Sequence, residues 1–289
     1  MKITLKAYAK INLMLDILSR LENGYHDLFM IMQSVSLYDE VTVEKTQGSD
    51  ITITCSIEGI PTDERNIAHK AAKAFFAYTG IEGEGIHIHL EKNIPHAAGL
   101  AGGSTDGGAV IVALDKIFGT ALREKDIINI GKTVGADVPF CALGGTMLAQ
   151  YTGTVLSHLP DLKLPYIIIV KPDQDVSTAA AYSAFDSAER VRHLDKTAML
   201  KAVVEGDVQG VYSKVDNVFE QFIDVSERVI IKNIMRKHGA KCACMSGSGP
   251  SIFGIFDDRE GAESCLEALK KDYKQSYLCS STDCGCEEK

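Results

Sequence analysis

Apolar and polar residues alternate from the start of the chain. In "AKINLMLDI", Ile11, Leu13, Leu15 and Ile17 fall on one side of an extended backbone, and Lys10, Asn12, Met14 and Asp16 on the other. A period of two marks a β-strand, so a strand is predicted over residues 2–18. Lys10 and Asn12 then point the same way, about 7 Å apart. Asn23-Gly24 in "ENGYHDL" is a hairpin-type turn signal, and residues 27–58 read as further strands. The period then changes. "NIAHKAAKAFFAYTG" reads as an amphipathic helix capped by Asn66, with Ile67, Ala71, Ala74 and Tyr78 as its stripe and Gly80 as its stop. "GIHIHLEKNI" returns to strand, residues 104–118 and 123–135 read as helices, and "GTMLAQYTG" reads as a strand.

The second half opens on an apolar strand, "YIIIV". Helices are predicted near 177–187, 195–205, 207–223 and 225–238. "CACMSGSGPSIFGIF" reads as strand, glycine turn and strand, followed by a helix over 259–272. There is no internal repeat and no low-complexity linker. The mixture is α+β, with a domain boundary near 150–160. The closing residues "TDCGCEEK", 282–289, read as a disordered tail.

Composition narrows the function classes. A net charge of −9 over 289 residues argues against a dedicated nucleic-acid or anionic-membrane binder, though a local patch of amides can still bind a small anion. The first residues lack the uninterrupted apolar core of a secretory signal, and no stretch approaches the roughly 18 apolar residues of a membrane span. A cytoplasmic protein is expected. The 8 cysteines do not form paired C-x-x-C or Cys/His zinc spacings and are expected to be reduced thiols. His87 and His89 lie two apart on one strand face, which reads as an edge or core pair rather than a metal site.

One stretch carries chemistry. "AAGLAGGSTDGG" crowds Gly99, Gly102, Gly103, Gly107 and Gly108 between a strand and a helix, with Ser104, Thr105 and Asp106 as N-cap residue types. A helix start exposes unpaired N–H groups and the positive end of the dipole. Glycines before it let the backbone close on a ligand with no Cβ in the way, which makes a phosphate cradle. It is neither a Walker A loop (before "GKT" the required leading glycine is Asp126) nor the G-x-G-x-x-G of a βαβ unit.

"PHAAGLAGGSTDGG" resembles the central phosphate-binding motif of the GHMP kinases, the galactokinase, homoserine, mevalonate and phosphomevalonate kinase superfamily. "CMSGSGPSIFGIF" resembles their C-terminal glycine motif and "AYAKINLMLDI" their N-terminal motif, all in family order. Within the superfamily, "KINL", "NGYHDL" and "GADVPF" resemble the branch of 4-diphosphocytidyl-2-C-methylerythritol kinases. That resemblance implies a GHMP kinase fold. Its N-terminal ATP-binding domain, ribosomal-protein-S5-like, would span 1–155, and its ferredoxin-like C-terminal domain 156–281, with the active site between them. It also implies ATP-dependent phosphorylation of a 2-hydroxyl in the non-mevalonate route to isoprenoid precursors.

The same resemblance assigns roles. Asp137 matches the catalytic aspartate, the acceptor of the hydroxyl proton, and Lys10 the lysine beside it. Asn12 would contact the substrate near its reacting end. Tyr25 and His26 match the cytidine-site pair, with Tyr182 as the second stacking ring and Thr178 near the substrate diphosphate. Pro95, His96, Ala97, Ala98, Gly99, Leu100, Ala101, Gly102, Gly103, Ser104 and Thr105 would wrap ATP, and Asn66 sits where the family reads adenine. Gly247, Ser248 and Gly249 would form a second glycine turn beside the substrate. Ala101 replaces a glycine that many members have, and Thr105 replaces a serine but keeps the hydroxyl. Mg²⁺ is implied with ATP, with no protein ligand assigned. The implied partners are ATP and a cytidine diphosphate-linked polyol, with no nucleic acid or membrane, on a monomer or weak homodimer. Two alternatives are a mevalonate- or homoserine-type kinase and a non-catalytic nucleotide sensor of this fold. The Tyr25-His26 turn and Tyr182 argue against the first, and Lys10 with Asp137 against the second.

Overall fold

Apolar alternation at the N-terminus produces two long antiparallel strands, β1 (Lys2–Arg20) and β2 (His26–Thr46). They form the spine of a computed structural model that describes residues 1–289. The predicted single face of β1 does not hold along its length. The pairing slips between Asn12 and Met14, where Leu13 is an extra residue opposite β2. Such a bulge moves the following side chains to the other face. Met14 therefore joins Ile11 and Leu13 in one core cluster, while Leu15 and Ile17 enter another. Lys10 and Asn12 precede the bulge and keep their common side.

After β3 (Ile51–Cys55), helix α1 (Ile67–Thr79) is capped at both expected ends, by Asn66 and by Gly80 in the left-handed region. Its buried residues are Ala68, Ala71, Ala72 and Phe75, so the stripe is rotated from the predicted one. Ile67 instead leans on α2 (Gly102–Phe118), where a Cβ at Gly107 would lie 2.8 Å from its methyl. Tyr78 turns outward, and its hydroxyl donates to Asp126 at 2.7 Å. Between these helices runs β4 (Gly85–Glu91). His87 and His89 on it hydrogen-bond Thr52 and Thr54 of β3 at the surface.

Helices α3 (Glu124–Val134) and α4 (Val138–Leu143) follow, then β5 (Thr146–Tyr151) and β6 (Val155–His158). The second half supplies β7 (Tyr166–Lys171), α5 (Thr178–Asp186), α6 (Lys196–Glu205), α7 (Val208–Lys214) and β8 (Asp216–Asn217). Next come α8 (Arg228–Lys237), β9 (Cys242–Met245), β10 (Ile252–Phe256), α9 (Arg259–Lys270), β11 (Gln275–Cys279) and β12 (Cys286–Glu288).

The first sheet has the order β12-β1-β2-β4-β3, with β5 on the first half of β2, β6 on β5, and β8 on β1. Its apolar face packs against α1 and α2 through Val41, Val43, Ile86, Leu90, Phe75, Val110 and Leu114. A four-stranded antiparallel sheet has the order β11-β7-β10-β9. Alternate residues of β7 serve two clusters, Ile167 and Ile169 in one, Ile168 and Val170 in the other. Both clusters also contain residues of β1 and β2, so the two sheets share buried cores.

Two expectations are corrected here. The helix predicted over 207–223 is broken into α7, β8 and a 3-10 turn at Val218–Gln221. Residues 282–289 are not a disordered tail. Leu5, Lys6 and Ala7 pair with Glu288, Glu287 and Cys286 of β12. Gly285 packs so closely on α4 that a Cβ there would lie 2.1 Å from the carbonyl oxygen of Cys141. All eight cysteines are free thiols.

Candidate active site

A cleft of about 1170 Å³ opens where the two sheets meet, lined by β1, the glycine loop, the turn before α4, the start of α5 and the turn after β9. Its floor is built from the polar residues that β1 carries before its bulge. Lys10 and Asn12 are buried, at 4% and 0% exposure. The Lys10 ammonium donates to Asn12 Oδ1 at 2.7 Å and lies 3.8 Å from Asp137 Oδ2. Asp137 is the residue before α4, and its carbonyl accepts the N–H of Cys141 at 2.9 Å. The position of α4 rests on glycines. A Cβ at Gly108 would lie 2.7 Å from the backbone nitrogen of Ala142, so only glycine lets α2 cross α4 this closely. Gly107 and Gly108 thus answer to helix packing.

The glycine loop hangs from the same strand, with the Lys10 N–H bonded to the Leu100 carbonyl at 3.2 Å. Gly99 has φ +73°, and a Cβ on it would lie 2.2 Å from the Ser246 carbonyl oxygen. The second glycine turn is therefore pressed against the first, and Ser246 Oγ donates to the Gly99 carbonyl at 2.9 Å. Helix α2 begins earlier than its residue types suggested. Its N-cap is Ala101 in the left-handed region, φ 61°, and not Ser104, Thr105 or Asp106. Thr105 N–H takes the Ala101 carbonyl. The N–H groups of Gly102, Gly103 and Ser104 are thus the helix's free donors, and they line the cleft.

Most predicted residues meet here. Pro95, His96, Ala97, Ala98, Gly99, Ala101, Gly102, Gly103 and Ser104 line the cleft, as do Asn12, Tyr25, His26, Thr178, Tyr182, Gly247 and Ser248. Three do not. Leu100 is buried in the core at 1% exposure. Thr105 is fully buried and its hydroxyl donates to the Tyr8 carbonyl at 3.0 Å, because it lies on the face of α2 that covers β1. Asn66 spends its amide on structure, with Oδ1 capping Ala68 N–H and Nδ2 donating to the Pro61 carbonyl.

At the far end of the cleft, His26 and Tyr182 stack with ring centroids 4.6 Å apart and planes at 21°. The edge of Phe185 faces the His26 ring at 5.9 Å, and His26 Nε2 is 2.7 Å from Asp186 Oδ1. Burial, with the Asp137 charge nearby, pushes the Tyr182 phenol up to about 12, so it stays a neutral donor. Tyr25 is 67% exposed and stands at the rim. Thr178 Oγ1 and Ser248 Oγ lie 2.9 Å apart across the cleft.

Sequence reasoning missed three contributors. Lys92 and Lys132 also line the cleft, Lys92 held against the carboxyl groups of Asp39 and Asp106 and Lys132 on Asn129 Oδ1 at 2.7 Å. Asn217 holds the second glycine turn from below, donating to the carbonyls of Met245 and Gly247 at 2.8 and 2.7 Å. It sits inside the stretch predicted as helix, where no local signal marks it.

Residues 66–145 match the GHMP kinases N terminal domain, and residues 225–275 match the GHMP kinases C terminal domain. A 4-diphosphocytidyl-2-C-methyl-D-erythritol kinase of Caldicellulosiruptor saccharolyticus is 42% identical over 282 residues, covering 96% of this chain and 97% of the relative. One of Clostridium beijerinckii is 42% identical, covering 95% and 98%. A crystal structure of 4-(cytidine 5'-diphospho)-2C-methyl-D-erythritol kinase superposes with TM-score 0.75 at 29% identity, over 97% of this chain and 99% of that one. A homoserine kinase from Cytophaga hutchinsonii superposes with TM-score 0.79 at 21% identity, over 100% and 97%. At that identity it speaks to fold alone. No helix of the chain is long and apolar enough to cross a membrane.

Proposed function

Since the chain belongs to the GHMP kinases, and within them to the 4-diphosphocytidyl-2-C-methyl-D-erythritol kinases, we propose that it transfers the γ-phosphoryl group of ATP to the 2-hydroxyl of 4-diphosphocytidyl-2-C-methyl-D-erythritol. The observation that carries this is the placement of the Lys10–Asp137 pair, 3.8 Å apart, between an anion-binding helix start and an aromatic recess. The acceptor oxygen attacks the γ-phosphorus as the bond to ADP breaks, and the hydroxyl proton passes to the Asp137 carboxylate. Lys10 faces the charge that builds on the transferred group. The free N–H groups of Gly102, Gly103 and Ser104 receive the phosphates. Asn12, held by Lys10, orients the reacting end of the acceptor.

Tyr25 at the rim supplies one face for the cytosine ring, and Tyr182 supplies the other when the base displaces the His26 ring stacked on it. Stacking of this kind is worth about 1–3 kcal/mol per base. His26 reads the base edge, and the hydroxyls of Thr178 and Ser248 face the substrate diphosphate. Mg²⁺ enters with ATP as part of the co-substrate. A hard cation takes oxygen ligands. The chain has no cluster of three acidic, His or Cys groups. The Ser104 hydroxyl, at the helix start in the cleft lining, would be the protein oxygen to hold Mg²⁺. Bound there, it would supply charge neutralisation on the transferred phosphates. The predicted boundary at 155/156 falls inside β6, so the first of the two domains flanking this cleft is read as running through His158 and regaining β12 from the end of the chain.

The test is ADP release from ATP and Mg²⁺ with 4-diphosphocytidyl-2-C-methyl-D-erythritol as acceptor, and mevalonate and homoserine as controls. Turnover confined to the cytidyl acceptor is expected. Turnover with mevalonate or homoserine instead would overturn the substrate assignment.

A further inference from the structure

Both ends of the glycine loop are tied to one ammonium group. Lys92 follows β4 and lies just before the loop, and its side chain is 5% exposed. Its Nζ lies 2.6 Å from Asp106 Oδ2 in α2, contacts the Asp39 carboxylate of β2, and lies 3.4 Å from the Gly102 carbonyl oxygen. Asp39, fully buried, accepts the N–H groups of Asn93 at 2.6 Å and Ile94 at 2.8 Å. The chain therefore leaves this cluster at Ile94 and returns to it at Gly102, and everything between is the loop.

We propose that Lys92 is a positioning residue for the nucleotide loop, acting through Asp39 and Asp106 to fix where the loop begins and ends. The inference rests on reading that loop as the ATP cradle. Stability alone does not account for the cluster. One ammonium and two carboxyl groups are buried together, which costs desolvation that packed apolar residues would avoid. Asp106 Oδ1 is moreover buried with no hydrogen-bond partner. What the arrangement does supply is geometry: one charge in contact with three separate segments. Burial raises the Asp106 carboxyl above the usual carboxylate range, against the pull of Lys92.

Lys92 also lines the cleft, so a direct contact with ATP must be separated from positioning. Lys92→Met removes the tie and is expected to weaken ATP–Mg²⁺ binding, measured by calorimetric titration, by about tenfold, equivalent to about 1.4 kcal/mol. The KM for the polyol acceptor is expected to move far less. The second variant, Lys92→Met with Asp106→Asn, separates the two explanations. The carboxamide introduced at position 106 keeps a donor for Asp39 at every pH, whereas the Asp106 carboxyl loses its proton as pH rises, so ATP affinity is expected to recover in part when the single and double variants are compared at about pH 9. A lost direct contact would not recover. Should Lys92→Met fail to fold, Asp39→Asn asks the same question from a fully buried position outside the cleft lining. Unchanged ATP affinity in a folded Lys92→Met or Asp39→Asn protein overturns the proposal, as does an equal rise in both KM values or a double variant with no recovery. Failure of the wild type to phosphorylate the cytidyl acceptor while it binds ATP would instead overturn only the substrate assignment. Failure of the wild type to bind ATP would overturn the reading of the loop itself.

Discussion

Asn217→Ala removes a side chain that makes three buried hydrogen bonds. Its Nδ2 donates to the carbonyls of Met245 and Gly247, and its Oδ1 accepts the N–H of Phe219 at 3.0 Å. The residue is 1% exposed, so water does not readily replace these partners. Each buried group left unpaired costs about 1–3 kcal/mol. With all three at the low end, the loss of folding stability is about 3 kcal/mol, a large share of the 5–15 kcal/mol typical of a folded protein (order of magnitude). Asn217→Asp should be worse. It sets a carboxylate oxygen where the two donated hydrogens were, facing two carbonyl oxygens at hydrogen-bond distance. Urea unfolding followed by far-UV circular dichroism measures both variants. The acceptor KM should rise in Asn217→Ala at temperatures where it stays folded, because the turn carrying Gly247 and Ser248 loses its support. The reasoning fails if Asn217→Ala loses less than about 1 kcal/mol, or if Asn217→Asp is as stable as the wild type.

Asp137→Asn should lower kcat by about 10²–10⁴-fold with ATP affinity retained; near-normal turnover in a steady-state assay would remove Asp137 from the chemistry. Ala101→Gly should stabilise the protein by up to about 1 kcal/mol, since an L side chain in the left-handed region costs more than the entropy of a glycine; a lower thermal midpoint would contradict this. Stability should also respond to pH through Asp106. Its folded carboxyl is pushed up to about 8 by burial, above its unfolded value of about 4. The stabilisation is therefore fully present below the unfolded value and is lost as pH rises through the folded one. Asp106→Asn should flatten that decline, which urea midpoints at about pH 6 and about pH 9 would reveal.

Local pattern fixed much of this protein before any tertiary contact is considered. Alternation made β1 and β2, the 3.6-residue period made α1, α2, α3 and α9, and Asn66 and Gly80 bounded α1 because capping is a short-range hydrogen-bonding problem. The glycine loop and the shared face of Lys10 and Asn12 were legible too, since a phosphate cradle and a strand face are defined by neighbours a few residues apart, whereas Asp137 stood out only through the family resemblance. What the sequence could not decide depends on segments far apart in the chain. The bulge at Leu13 divides β1 between two buried cores, a division set by pairing with β2 and packing of the second sheet. Asp216 and Asn217 leave the helical pattern because β1 offers them a strand partner and Asn217 finds three backbone groups to satisfy. Thr105 and Asn66 turn away from the cleft because other backbone groups claim their side chains. Residues 286–288 are ordered because the edge of β1 is open to pair with them. Asp39, Lys92 and Asp106 converge from three separate segments, and only the assembled fold excludes the water that would otherwise keep their charges apart.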